Sequence, residues 1–168
     1  MRWFWVDRFT EFVSGSHASG IKNVALDQEV MDDYCGIYPF FPPTLMIEGL
    51  AQLGGILVAE HYDWGKRVVL AKVGNATFHN PSLPGDQMVY RVQLDGTQDH
   101  GASVTGTVHC EGKLRAEIDL MFAFLEEGRF AEGSLFDDGD LVMMLRIMNL
   151  FNVGVDAKGN PLAISDKI

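Results

Sequence analysis

The chain has 168 residues, 47% hydrophobic and 21% charged, and its 13 basic and 23 acidic residues leave a formal charge of −10. That size and composition suit one folded domain with a substantial core, and the charge argues against a broad nucleic-acid surface, which needs concentrated positive charge. No apolar run approaches the roughly 20 residues that span a bilayer. Asp7 and Arg8 interrupt the apolar start before a signal-peptide hydrophobic region could form. The sequence therefore reads as soluble and cytoplasmic. Cys35 and Cys110 are too few for a disulfide framework and read as free thiols.

Trp3 to Val13 predicts a strand, Ser14-Gly15-Ser16 a turn, and Gly20 to Leu26 a second strand. Between Glu29 and Pro43 the pattern dissolves into a loop with Cys35-Gly36, Pro39, Pro42 and Pro43, too proline-rich for helix. Thr44 is placed to cap a helix running to about Tyr62, apolar on most sides apart from Glu48, Gln52 and Glu60. Within it Gly54-Gly55 costs roughly 1 kcal/mol per glycine relative to alanine. This points either to a close approach by ligand or backbone, or to ordinary tight packing.

Four more strands are expected: Arg67 to Phe78, Gln87 to Leu94, Ala102 to Cys110 and Leu114 to Leu125. Turns at Pro81, Pro84-Gly85-Asp86, Asp95-Gly96 and Glu111-Gly112-Lys113 separate them. Two strands, a long apolar helix and four strands make an α+β protein, with no β-α-β alternation. Beyond Glu127 the composition turns acidic. Residues 128–168 read as an extension to a 1–127 domain, with one short helix capped by Asp140 and a loose tail from Gly154. Met143, Met144 and Met148 are expected to pack along that helix. No cluster has metal-ligand spacing and no glycine loop suits phosphate, so no cofactor is expected.

Glu48 is the most informative polar residue. A carboxylate in the first two turns of an apolar helix is favoured by the helix dipole, yet it needs a partner, a ligand or a shifted pKa. Gln52 lies four residues on, on the same face. Together they could hold a water or a substrate oxygen, or fix the loop structurally.

The stretch Phe41-Pro42-Pro43-Thr44-Leu45-Met46-Ile47-Glu48-Gly49-Leu50-Ala51-Gln52 resembles the central-helix motif of the 3-hydroxyacyl-acyl-carrier-protein dehydratases. Val6-Asp7-Arg8 and Lys22-Asn23-Val24 resemble that family's first hairpin, Asn80 to Gln87 its proline-glycine-aspartate turn, and Leu120 to Phe124 its closing strand. The resemblance runs over about residues 3 to 125. It implies a hot-dog fold, a curved antiparallel sheet wrapped around a long central helix and normally paired in a dimer.

The resemblance also implies a lyase of fatty acid biosynthesis, eliminating water from a 3-hydroxyacyl thioester on acyl-carrier protein or coenzyme A. A loop histidine of one subunit and a helix carboxylate of the other form the family's site. Glu48 matches that carboxylate, and Gln52, Ile37, Gly36, Pro42 and Phe41 match positions that meet substrate. Without a gap the resemblance puts Tyr34 at the histidine position, and sliding the loop by three residues puts Ile37 there instead; the Tyr34 phenol, with an ordinary pKa of about 10, donates a hydrogen bond rather than acting as a base at neutral pH. Besides a homodimeric dehydratase, this departure leaves open a noncatalytic acyl-binding protein, a heterodimer with a histidine-bearing paralogue, or a hot-dog thioesterase. Arg2, Arg8, Lys66, Arg67, Arg91 and Arg115 are the candidates for a local patch that would dock an acidic carrier.

Overall fold

A computed structural model describes residues 4–28, 38–125 and 138–164. Strands β1 (Arg8–Val13) and β2 (His17–Asn23) precede helix α1 (Pro43–His61), and β3 (Arg67–Phe78), β4 (Gln87–Gln98), β5 (Gly101–Cys110) and β6 (Lys113–Leu125) follow it. Helices α2 (Asp138–Ile147) and α3 (Leu150–Val153) then lead into β7 (Gly154–Val155). The seven strands form one sheet in the order β3-β6-β5-β4-β2-β1-β7, antiparallel except for the β1–β7 pair. This is the α+β, helix-in-sheet arrangement that the resemblance implies. Among the described residues no helix is long and apolar enough to cross a membrane.

Period-two alternation makes the sheet two-faced. Met88, Tyr90 and Val92 of β4, Val104 and Val108 of β5, and Ile118, Leu120 and Phe122 of β6 are buried, with more exposed residues alternating between them. These inner residues meet the apolar side of α1, including Leu50, Leu53 and Leu57. Each large side chain so buried contributes about 1.5–3 kcal/mol. Irregularities at Phe9/Glu11, Leu70/Lys72, Val73/Asn75, Leu94/Gly96 and Val108/His109 bend the sheet around the helix. The β5–β6 hairpin turns through Glu111 and Gly112, both at positive φ, the geometry of the tight turn its sequence predicts.

Several boundaries differ from the sequence reading. The first strand begins at Arg8 rather than Trp3, and the second at His17 rather than Gly20. Asp95-Gly96 is not a turn. Gly96 pairs with Ser103, Leu94 with Val104, and Asp95 is the extra residue of a bulge, accepting a 2.7 Å hydrogen bond from Thr105 Oγ1. Thr44 does not cap α1, because Pro43 with its fixed φ already opens the helix and Pro42 stands at the cap. Asp140 lies inside α2 rather than at its cap.

Among the described residues, the expected single helix and loose tail are instead two helices and a strand. Leu145, Met148 and Leu150 join the core, and β7 pairs with β1. Met144 and Met148 pack as expected, whereas Met143 is 53% exposed.

Candidate active site

The loop preceding α1 enters the helix through Phe41 and Pro42, both buried. Phe41 N–H donates to Ser82 O (2.8 Å) and its ring meets Trp5 edge-to-face at 5.8 Å. No acidic residue stands in the first turn of α1, so Glu48 in the second turn is the first carboxylate the helix offers. Glu48 is exposed, and Gln52, one turn on, is half-buried.

Two groups in series hold the carboxylate. Trp5 N–H donates to Gln52 Oε1 (2.8 Å), and Gln52 Nε2 donates to Glu48 Oε1 (2.9 Å). Because the Trp5 amide can only donate, it sets the Gln52 amide with its NH2 group toward Glu48. Glu48 Oε1 must then accept, and a proton on this carboxyl group belongs on Oε2. The i, i+4 pairing was legible in the sequence; the Trp5 amide, 47 residues away, was not.

Behind this face the helix is pressed against the sheet. A Cβ at Gly49 would lie 2.7–3.0 Å from the Tyr90 ring and hydroxyl. Tyr90 is fully buried, and its Oη has no hydrogen-bond partner among the described residues. Burial and the nearby Asp7 carboxylate push its pKa up, so it stays a neutral phenol. Asp7 is itself engaged by Lys22 Nζ (2.7 Å) and Asn23 N (2.7 Å), and Lys22 lies 6.0 Å from the Trp5 ring centroid. Gly54 permits a second close approach, 3.2–3.3 Å from Val104 and Phe122 atoms to a built Cβ, which decides its role as packing.

The inner face remains open toward β3. Leu70, Val73, Ala76 and Phe78 are in register with buried residues of β6, yet Leu70 is 38% and Phe78 40% exposed. Among the described residues β3 pairs only with β6, so its other edge is free.

Tyr34, Gly36 and Ile37, like Asp33 and Cys35, lie outside the described residues. All five histidines lie within them. His79 bonds Glu117 at 3.1 Å, and Glu117, between buried Ala116 and Ile118, faces the outer side of the sheet away from α1. His109 also faces outward, between buried Val108 and Cys110, and burial lowers its pKa. His17 pairs with Glu11 (3.4 Å), His100 stands exposed beside the β4–β5 turn, and His61 sits at the far end of α1 against Gly15. Strand alternation alone would have placed His109.

Of the proposed basic patch, Arg91 is exposed on the outer face, while Arg115 is largely buried beside Asp86 (3.8 Å) and Lys66 lies over the Phe124 ring. Those positions are therefore dispersed rather than gathered. No group of three or more metal-ligating side chains is found among the described residues.

The FabA-like domain matches residues 3–119 of the chain. The chain belongs to the FabA-like family. It is 32% identical over 122 residues to the 3-hydroxyacyl-[acyl-carrier-protein] dehydratase FabZ of Sulfurovum sp. (strain NBC37-1), covering 68% of this chain and 82% of the relative. In fold it is similar to the dehydratase heterocomplex ApeI:P from Xenorhabdus doucetiae, with a TM-score of 0.62 and 15% identity over 85% of this chain and 90% of that one. A hypothetical thioesterase from Streptococcus pneumoniae TIGR4, solved with coenzyme A, is similar at a TM-score of 0.59 and 9% identity over 70% and 84%. These solved structures share the hot-dog fold with this FabA-like chain; residues 138–164 lie beyond the family match.

Proposed function

We propose that the protein acts in the cytoplasm on 3-hydroxyacyl thioesters, carried on acyl-carrier protein or coenzyme A, and eliminates water to give trans-2-enoyl thioesters. The observation that carries this reading is the Glu48 carboxyl group, held through Gln52 by the Trp5 amide on the helix that bears the family motif. In the elimination the C2–H bond breaks, its proton passing to Glu48 and its electron pair forming the C2=C3 double bond, while the C3–O bond breaks and the hydroxyl takes that proton from Glu48 to leave as water. Glu48 Oε2, the oxygen turned from Gln52, is placed to carry that proton. Tyr34, at the family's histidine position, orients the hydroxyl or thioester oxygen; Phe41, Pro42, Gly36 and Ile37 contact the acyl group. The open apolar strip of β3 suits an acyl chain, and its free edge suits a second copy in a homodimer.

A second reading is favoured by the histidines. Three side chains face the outer side of the sheet or pair there, and the others lie at the far end of α1 and beside the β4–β5 turn. In that reading the chain lends Glu48 to a histidine-bearing paralogue in a heterodimer, or binds acyl groups without turning them over.

The test is interconversion of 3-hydroxyacyl and trans-2-enoyl thioesters by the purified protein, followed by mass spectrometry, with thiol release recorded in the same reactions. Turnover lost in Glu48→Gln and altered in Tyr34→Phe supports a dehydratase working alone. Turnover only with a histidine-bearing partner supports the second reading, and Glu48-dependent thiol release makes the protein a thioesterase. No turnover on either carrier overturns the enzyme.

A further inference from the structure

The two edges of the sheet are in opposite states. β3 is unpaired on its outer side among the described residues. β1 is covered by chain from the far end of the sequence. Phe9 N–H donates to Met148 O (2.7 Å), Asn149 Nδ2 reaches Phe9 O (3.5 Å), and Ser14 N–H donates to Val155 O (2.9 Å). Between these contacts β7 runs parallel to β1, Phe12 opposite Gly154 and Val13 opposite Val155.

The covering segment is anchored by its own burial. Met144, Leu145, Met148 and Leu150 are buried. Asn149 adopts a left-handed φ of 70° that turns α2 into α3 and brings both Met148 O and its own side chain to the edge. Gly154 allows a close fit, since a Cβ there would lie 2.8 Å from Leu150 O and 2.9 Å from Leu162 Cδ1.

An open edge strand offers a row of unpaired N–H and C=O groups to any other strand. A sheet with two open edges can add copies at both and grow without closing. A sheet with one open edge is complete once that edge has paired with itself about a two-fold axis. We propose that residues 138–164 are an edge guard: they occupy the backbone groups of β1, so that association between copies of this sheet runs through β3 and stops at a pair. The device is independent of the reaction assigned to Glu48.

Two substitutions in the full chain test it. Gly154→Val forces β7 away from its seat. Ser14→Pro removes the donor to Val155 and keeps the β1–β2 turn, because Ser14 is the second residue of a turn closed by Ser16 N–H to Val13 O with Gly15 at φ 68°, a position that suits proline. Hydrogen exchange reads the amides of Phe9 and Ser14, and sedimentation velocity reads mass over a wide concentration range.

The expected result is a wild-type mass that stops at two chains. In Gly154→Val the Phe9 and Ser14 amides should exchange about tenfold faster or more, and the mass should climb past two chains with concentration. Faster exchange without growth, unchanged protection, or growth past a pair in the wild type would each overturn the proposal. Where Gly154→Val does not fold, Ser14→Pro decides: growth past a pair supports the guard, and an unchanged mass overturns it.

Discussion

In the first half of α1, Gly49 lets the Tyr90 ring lie against the helix backbone, with the bonded pair Glu48 and Gln52 to one side of it; in the second half, Gly54 lies against Val104 and Phe122, and no comparable polar pair stands beside it among the described residues. The same device, a glycine where sheet meets helix, lies beside the candidate site in one half and serves packing in the other. Helix–sheet closeness is thus not itself a mark of function. What distinguishes the first half is the polar chain from the Trp5 amide to Glu48.

Substitutions can separate the halves, beginning with the largest effect. Glu48→Gln should lower dehydration by about 10²–10⁴-fold while leaving the melting temperature unchanged, because the side chain is exposed and its loss uncovers no core. A turnover within twofold of wild type would remove Glu48 from the chemistry. Next, Gly49→Ala should cost about 1–3 kcal/mol in denaturant unfolding, since its Cβ meets a rigid, fully buried ring. Gly55→Ala, whose Cβ would be in ordinary contact at 3.5 Å from Phe122, should instead stabilise by up to about 1 kcal/mol through helix propensity. If both alanines shifted stability the same way, the contrast between the halves would fail.

Tyr90→Phe probes the first half more gently. Its hydroxyl is buried with no hydrogen-bond partner among the described residues, so removing it should leave stability unchanged or raise it by less than about 1 kcal/mol. A clear loss in thermal unfolding would reveal a partner for Oη.

At the other end of the helix, burial raises the Glu60 pKa, with Ser14, His61 and Asp63 as smaller influences. The folded state then holds the Glu60 proton more tightly than the unfolded chain. That contribution is present below the unfolded pKa and is lost as pH rises through the folded value. Glu60→Gln should therefore gain on wild type in melting temperature as pH is raised out of the ordinary carboxylate range. A pH-independent difference would count against this.

The elements that were legible in the sequence are those with long, regular signals. β3 runs from Arg67 to Phe78 as its pattern predicts, and the Glu111-Gly112 turn follows from its chemistry. Asp95-Gly96 misled because the residues that favour a turn also favour a bulge, and only pairing across to Ser103 and Val104 tells them apart. The two residues of β7 are too few to show any period, so a paired strand read as a tail. In the site, Glu48 and Gln52 could be paired by spacing, but the Trp5 contact is made by a backbone amide, for which a side-chain pattern carries no signal. The outward direction of His79 likewise depends on its Glu117 partner on another strand.

The contact of Asn149 with Phe9 spans 140 positions, and that separation orders events during synthesis. β1 is made before the long helix and the strands β2 to β6, while the residues that cover it are made only after them. Until then a nascent chain carries β1 bare beside a sheet already able to form. Crowded polysomes are the setting in which such a strand meets others of its kind, and slower translation of residues 138–164 would prolong that interval.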